Sequence, residues 1–135
     1  MYFIDLKIQM EIKMKTLIVE DYFASRTLLQ RYLSGISECD IAVNGNEAVE
    51  AFRVALDEEE SYDLICLDIM MPDIDGHEAL RKIREIECEY SIGGFKSVKV
   101  IMTTALGDSQ NIIGSFREGC ESYIRKPIER KILIH

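Results

Sequence analysis

Tryptophan is absent from this sequence, proline occurs only twice, and basic residues are a minority of the charged ones. The chain has 16 Lys and Arg residues against 24 Asp and Glu residues, which gives a net charge of −8. Binding to a nucleic-acid backbone needs clustered Lys and Arg side chains, so we expect no nucleic-acid binding by this chain alone. An acidic excess by itself indicates no more than a well-solvated surface.

Metal-binding cysteine pairs and long apolar runs are lacking as well. The four cysteines form no C-x-x-C pair and have no histidine at metal-ligand spacing, so neither zinc nor disulfides are predicted. No apolar run reaches the roughly 18 residues that a membrane span needs. Charged residues interrupt the first 15 positions, which argues against a secretory signal. We therefore expect a cytoplasmic protein that does not enter a membrane.

Short apolar runs alternate with segments of helical period from Thr16 onward. The predicted strands are 16–19, 40–43, 64–67, 98–103 and 122–124. Apolar residues three and four apart predict helices around residues 28–33, 48–56, 79–86 and 112–116, and residues 89–96 are expected to form an extended loop. This alternation predicts an α/β fold, a doubly wound five-stranded parallel sheet with helices on both faces.

Acidic, hydroxyl and ammonium side chains follow the predicted strands, at the point where each strand ends. Glu20 and Asp21 follow the first strand, Asp68 follows the third, Thr104 the fourth and Lys126 the fifth. The carboxyl ends of parallel strands share one edge of a sheet, where such folds bind their ligands. We therefore expect three carboxylates, a hydroxyl and an ammonium group to converge.

This set of groups favours phosphoryl transfer. A single acidic residue after a strand is usually a helix cap, but three close carboxylates repel one another unless a cation lies among them. Mg²⁺ accepts such ligands together with phosphate oxygens, and the backbone carbonyl of Met70 is a further candidate ligand. Asp68 is the candidate nucleophile that would become an aspartyl phosphate. Lys126 and Thr104 are candidates to contact the phosphate oxygens.

Four ordered motifs resemble the receiver domain of two-component response regulators, in its chemotaxis-type single-domain form. They lie at residues 17–21, 67–76, 104–105 and 123–127. The resemblance extends over about residues 14–131 and implies a flavodoxin-like fold with strand order 2-1-3-4-5. It places a receiver domain at 14–135, with a short last helix, after an N-terminal extension at 1–13.

The resemblance implies a phosphoacceptor rather than an enzyme proper. Asp68 would receive its phosphoryl group from a sensor histidine kinase or a phosphotransfer protein. Mg²⁺ would lie between Glu20, Asp21, Asp68 and the Met70 carbonyl. The family often has Asp at the position of Glu20, whose longer side chain still suits a metal.

The resemblance also implies a switch. Thr104 would move toward the phosphoryl group and Tyr123 would follow it inward. The face formed by the fourth helix, fifth strand and fifth helix would then bind a downstream protein partner. Met70 and Leu106 stand two positions beyond Asp68 and Thr104, where the family varies and tunes the phosphoryl lifetime. Their apolar side chains predict slow self-dephosphorylation.

Several alternatives stay open. The chain is either a stand-alone receiver, the receiver part of a larger transcriptional regulator or output enzyme, or a pseudo-receiver that never takes phosphate. Apolar and polar residues alternate over residues 4–15, which has the period of an amphipathic strand. Residues 1–13 are therefore either an extra strand that would mediate a homodimer, or a disordered leader before an ordinary start at Met14.

Overall fold

A computed structural model describes residues 14–104 and 120–126 of the chain. The described strands are β1 (Met14–Val19), β2 (Ser37–Ala42), β3 (Leu64–Asp68), β4 (Lys99–Thr104) and β5 (Ser122–Arg125). The described helices are α1 (Phe23–Leu33), α2 (Gly45–Asp57), α3 (Gly76–Glu89) and a short 3₁₀ helix, Gly94–Lys96. The predictions for the N-terminal extension, the fourth and last helices and Leu106 fall outside the described residues.

The five strands form one parallel sheet in the order β2-β1-β3-β4-β5. This confirms the predicted fold class and strand order. The register aligns Val19 with Leu67 and Asp68 with Thr103, so the central strands end at nearly the same level. That alignment places the residues following β1 and β3 beside each other.

Apolar side chains point to both faces of the sheet, as a doubly covered parallel sheet requires. On one face, Leu17 and Val19 of β1 belong to a buried cluster that includes Phe52 of α2 and Ile83 of α3. On the other face, Ile18 packs in a second cluster whose members include the following residues: Leu29, Leu33, Cys66 and Ile124. Successive apolar residues of β1 therefore contribute to the two cores in turn.

The Cys66 thiol belongs to the second cluster. Its side chain is completely buried, and this burial raises the pKa of the thiol to about 12. The sulfur therefore stays protonated at neutral pH and acts as a small apolar side chain.

Several element boundaries differ from the sequence prediction. Strand β2 begins at Ser37, three residues before the predicted start, because the buried Ser37 hydroxyl lies 2.6 Å from that of Thr16 on β1. The segment expected to be a loop contains the 3₁₀ helix. Within residues 14–104 and 120–126, no helix combines the length and the apolar character that crossing a membrane requires.

Candidate functional site

The carboxyl edge of the sheet is held in register by backbone hydrogen bonds between neighbouring strand ends. The Glu20 amide donates to the Ala42 carbonyl at 3.1 Å. The Ile69 amide donates to the Thr103 carbonyl at 3.0 Å, and the Lys126 amide donates to the Thr104 carbonyl at 2.8 Å. These bonds continue the strand ladders by one residue and so fix the side chains that follow each strand.

Three carboxylates converge at this edge, as the sequence predicted. One carboxylate oxygen from each of Glu20, Asp21 and Asp68 lies within 4.8 Å of the other two. Glu20 and Asp68 are buried, with exposed fractions of 0% and 2%. Asp21 is exposed, which leaves the cluster open to solvent on one side. Such hard oxygen ligands, two fixed and one accessible, suit Mg²⁺, which retains several of its waters.

Lys126 lies against the two buried carboxylates. Its Nζ is 2.8 Å from Glu20 Oε2 and 3.4 Å from Asp68 Oδ2. Burial by itself would lower the Lys126 pKa, but the hydrogen bond to Glu20 and the charge of Asp68 outweigh it and raise that pKa. The lysine is therefore a cation at neutral pH.

Asp68 is in an environment that disfavours its charge. Burial first, and then the neighbouring Glu20 carboxylate, raise the Asp68 pKa to about 7, against the opposing effects of Lys126 and the Met70 amide. In the absence of a further cation, this carboxylate is therefore only partly ionised at neutral pH. A divalent ion among the three carboxylates would favour the ionised form.

Backbone amides orient the two buried carboxylates. Glu20 Oε1 accepts from the Tyr22 amide at 3.1 Å, while Asp68 Oδ1 accepts from the Met70 amide at 3.2 Å. Each carboxylate therefore has one oxygen bound by the loop that follows its own strand and the other facing Lys126. The Met70 side chain is 66% exposed, and the contact of this residue with Asp68 is made by its backbone amide.

The two predicted switch residues, Thr104 and Tyr123, lie on β4 and β5. Thr104 is the last residue of β4 and is buried. Tyr123 is half-buried in β5 and packs against the first core cluster, with Met102 of β4 as its register partner.

Two acidic residues of the loop after β3 have roles that the sequence analysis missed. Asp75 is the N-cap of α3, with its Oδ1 accepting from the Glu78 amide at 2.9 Å. An Asp followed three residues later by Glu is a typical N-terminal helix signal and could have revealed this cap. Asp73 accepts hydrogen bonds from amides 27 and 28 residues earlier in the chain, and nothing local indicates such a partner.

Comparison with known proteins agrees with this geometry. The family model described as "Response regulator receiver domain" matches residues 16–135. The chain belongs to the response regulator receiver family. It is 38% identical over 121 residues to the transcriptional regulatory protein ResD of Bacillus subtilis, and 35% identical over 117 residues to hybrid signal transduction histidine kinase L of Dictyostelium discoideum.

The receiver covers only part of each of these relatives. The matched regions are 89% and 86% of this chain, but 45% of ResD and 7% of the hybrid kinase. The chain therefore spans less than half the length of these curated relatives. Receiver domains of this family are the phosphoacceptor modules of two-component signalling.

Solved receiver structures share the fold. The complex of CheX, CheY, BeF3 and Mg from Borrelia burgdorferi matches with a TM-score of 0.75 and 31% identity, covering 91% of this chain and 85% of the matched one. The co-crystal structure of the Saccharomyces cerevisiae histidine phosphotransfer protein Ypd1 with the Ssk1 receiver domain matches with a TM-score of 0.77 and 29% identity, covering 90% and 84%.

Proposed function

We propose that this receiver takes a phosphoryl group onto Asp68 from the phosphohistidine of a sensor histidine kinase or a phosphotransfer protein, in a Mg²⁺-dependent step. The observation that carries this proposal is the convergence of Glu20, Asp21 and Asp68 with the Lys126 ammonium between the buried pair. An Asp68 oxygen forms a bond to phosphorus as the phosphorus–nitrogen bond breaks, and the imidazole retains the electron pair.

The residues of the site supply position and charge rather than covalent chemistry. Glu20, Asp21, Asp68 and the Met70 carbonyl would hold Mg²⁺, which when bound neutralises charge on the phosphoryl oxygens and on Asp68. Lys126 lies 3.4 Å from Asp68 Oδ2 and can bind an oxygen of the arriving phosphoryl group. The strand ladders hold these groups in place before the donor arrives, which lowers the cost of reorganisation.

Thr104 and Tyr123 would convert the local charge change into a change of surface. Thr104 ends β4, which pairs with the strand that carries Asp68, and Tyr123 lies in β5, which pairs with β4; these positions support the role. The proposed output is a downstream protein partner that binds the face containing β5.

The length of the relatives bears on whether such a receiver is part of a larger protein. Because the matched region is 45% of the transcriptional regulator ResD, a receiver of this kind also occurs as one part of a larger protein. The receiver chemistry proposed here is the same in either setting.

Intact mass spectrometry after incubation with acetyl phosphate and Mg²⁺ tests the proposal. We expect the chain to gain one phosphoryl group, and the Asp68→Ala variant to gain none because the nucleophile is missing. Excess chelator should abolish the gain in the wild-type chain. A wild-type chain that stays unmodified although folded would identify a pseudo-receiver, and an equal gain in Asp68→Ala would place the acceptor elsewhere.

A further inference from the structure

The loop between β3 and α3 carries the Met70 carbonyl and is fixed at both of its ends. At its start, the Met70 amide donates to Asp68 Oδ1 at 3.2 Å. At its end, the Gly76 amide donates to the Ile69 carbonyl at 2.8 Å. A Cβ on Gly76 would lie 2.5 Å from the Asp68 carbonyl oxygen, so only glycine allows the loop to close this tightly. The middle of the loop has a separate attachment.

Asp73 makes that attachment to a different element. Its Oδ2 accepts from the Asn46 amide at 2.7 Å and its Oδ1 accepts from the Gly45 amide at 3.0 Å. These amides are at the positive end of α2, where a carboxylate is stabilised. Burial by itself would raise the Asp73 pKa, but the hydrogen bonds from the two amides outweigh this effect and lower it. Asp73 is therefore a carboxylate at neutral pH.

Asp73 is not the N-cap residue of helix α2. Its own N-cap is Asn44, whose side chain accepts from the Glu47 amide at 2.8 Å. Asn44 does not bind the Gly45 and Asn46 amides. Asp73, which lies 28 and 27 residues after them in the chain, accepts hydrogen bonds from both. The hydrogen bonds of Asp73 therefore tie the loop to the helix, in addition to stabilising the helix end.

Gly45 and Ile74 are also in close contact, next to these hydrogen bonds. A Cβ on Gly45 would lie 2.4 Å from Ile74 Cγ1 and 2.9 Å from the Ile74 carbonyl oxygen. Ile74 in turn packs against the first core cluster. Because one of the two obstructing atoms belongs to the backbone, an added methyl group would displace the loop itself. We call the set formed by Asp73, Ile74, Gly45 and Asn46 the α2 clasp.

We infer that the α2 clasp positions the loop so that the Met70 carbonyl can coordinate Mg²⁺, which makes Asp73 and Gly45 positioning residues of the metal site. This inference rests on the proposed function, because it assumes that Glu20, Asp21 and Asp68 hold the ion. Asp73 lies three residues from Met70, after the half-buried Met71 and the exposed Pro72. Groups that orient metal ligands in this way commonly change affinity by about tenfold or more when they are removed.

The affinity of the unphosphorylated chain for Mg²⁺ tests the inference, measured by titrating amide chemical shifts with MgCl₂. We expect Asp73→Ala to raise the Kd about tenfold. Gly45→Ala, which changes the opposite side of the clasp, should raise the Kd in the same direction. Asp73→Asn keeps one neutral acceptor oxygen and should fall between wild type and Asp73→Ala, which preserves the test if an alanine variant fails to fold.

Asn44→Ala is the matched control because it removes a cap from the same end of α2 without touching the loop. We expect it to lower the thermal midpoint while leaving the Kd for Mg²⁺ unchanged. Equal Mg²⁺ affinity in wild type, Asp73→Ala and Asp73→Asn would overturn the inference and leave Asp73 with a purely structural role. A wild-type chain that shows no Mg²⁺ binding would overturn the proposed function together with this inference.

Discussion

Lys126 has two buried carboxylates as neighbours, Glu20 at 2.8 Å and Asp68 at 3.4 Å. One ammonium group does not balance two buried negative charges, and burial together with the charge of Glu20 raises the pKa of Asp68 despite Lys126. An additional cation would offset this excess charge, and the exposed Asp21 carboxylate leaves the cluster open to solvent on one side. A phosphoryl group would give Lys126 a new anionic partner in place of Asp68.

Met70 gives a prediction about the lifetime of the phosphorylated state. Its side chain is apolar and 66% exposed beside Asp68, so it cannot orient a water molecule for attack on the aspartyl phosphate. We expect a wild-type half-life of minutes or longer. Met70→Asn should shorten it by roughly tenfold, less than a full general base contributes. The decay is followed by intact mass after the phosphodonor is removed.

Val54→Asn is a suitable control for this measurement. Val54 is also an exposed apolar residue, but it lies on α2 and not in the loop after β3. Its replacement should leave the half-life unchanged. A wild-type half-life of seconds, or equal decay in Met70→Asn, would show that another residue governs hydrolysis.

Most of the candidate site could be predicted from the sequence, because parallel strands bring their carboxyl ends together. Glu20, Asp21, Asp68 and Lys126 were assigned to one site on that ground, and the structure places them there. Asp73 could not be found in the same way. Its partners are amides of a distant helix end, and backbone donors leave no trace in the side-chain sequence.

At the scale of elements, a buried ion pair ties α3 to the start of β4. Glu87 is 3% exposed, and its Oε1 accepts from Arg84 Nη1 at 2.7 Å. Its Oε2 accepts from the Val98 amide at 2.7 Å, and Arg84 Nη1 also donates to the Val98 carbonyl at 2.9 Å. The residue just before β4 thus has both of its backbone polar groups satisfied by one turn of α3.

Loss of Glu87 should be costly. Glu87→Ala would leave the Val98 amide without its acceptor and Arg84 without its buried partner, which typically costs about 3 kcal/mol or more in the free energy of unfolding. Glu87→Gln retains acceptor and donor atoms and should cost less. Urea denaturation measures both variants. Glu85→Ala, an exposed position on the same helix, should change stability little, and equal losses in all three variants would contradict the assignment.

Elements with strong apolar periodicity could be predicted well, and polar elements could not. β1 and β3 are buried apolar runs, and the prediction located both within one or two residues. β2 was predicted too short because Ser37 and Glu38 do not have the pattern of a buried strand. Its first residues pair with β1 through backbone bonds and a hydroxyl contact, which composition alone does not indicate.

At the scale of the whole molecule, the three-carboxylate site lowers the free energy of unfolding at neutral pH when no metal is bound. Folding raises the Asp68 pKa from its ordinary value of 3.8 to about 7, so the protonated carboxyl is favoured by folding. Because folding raises this pKa, protonated Asp68 contributes its full stabilisation of the folded state below about pH 4. That contribution is lost as the pH rises through about 7. Without a bound cation, the three-carboxylate site thus reduces the stability of the domain at neutral pH.

Asp68→Asn should remove this pH dependence. In chelator, we expect the free energy of unfolding of the variant to exceed that of wild type at pH 8 by a few kcal/mol, and the difference to shrink toward pH 5. Saturating Mg²⁺ should stabilise wild type at pH 8 and reduce the difference. Urea denaturation at the two pH values measures the effect, and a difference that does not vary with pH would contradict the assigned pKa.

The β2 edge of the sheet has a consequence for how copies of this domain behave in a crowded solution. β2 pairs only with β1 in the described sheet, and its Glu38 and Asp40 are exposed. An open strand edge invites another chain to add to the sheet, which is how many proteins begin to aggregate. Two such edges would bring carboxylates against carboxylates. Mutual repulsion at this rim would therefore oppose the pairing of one β2 edge with another.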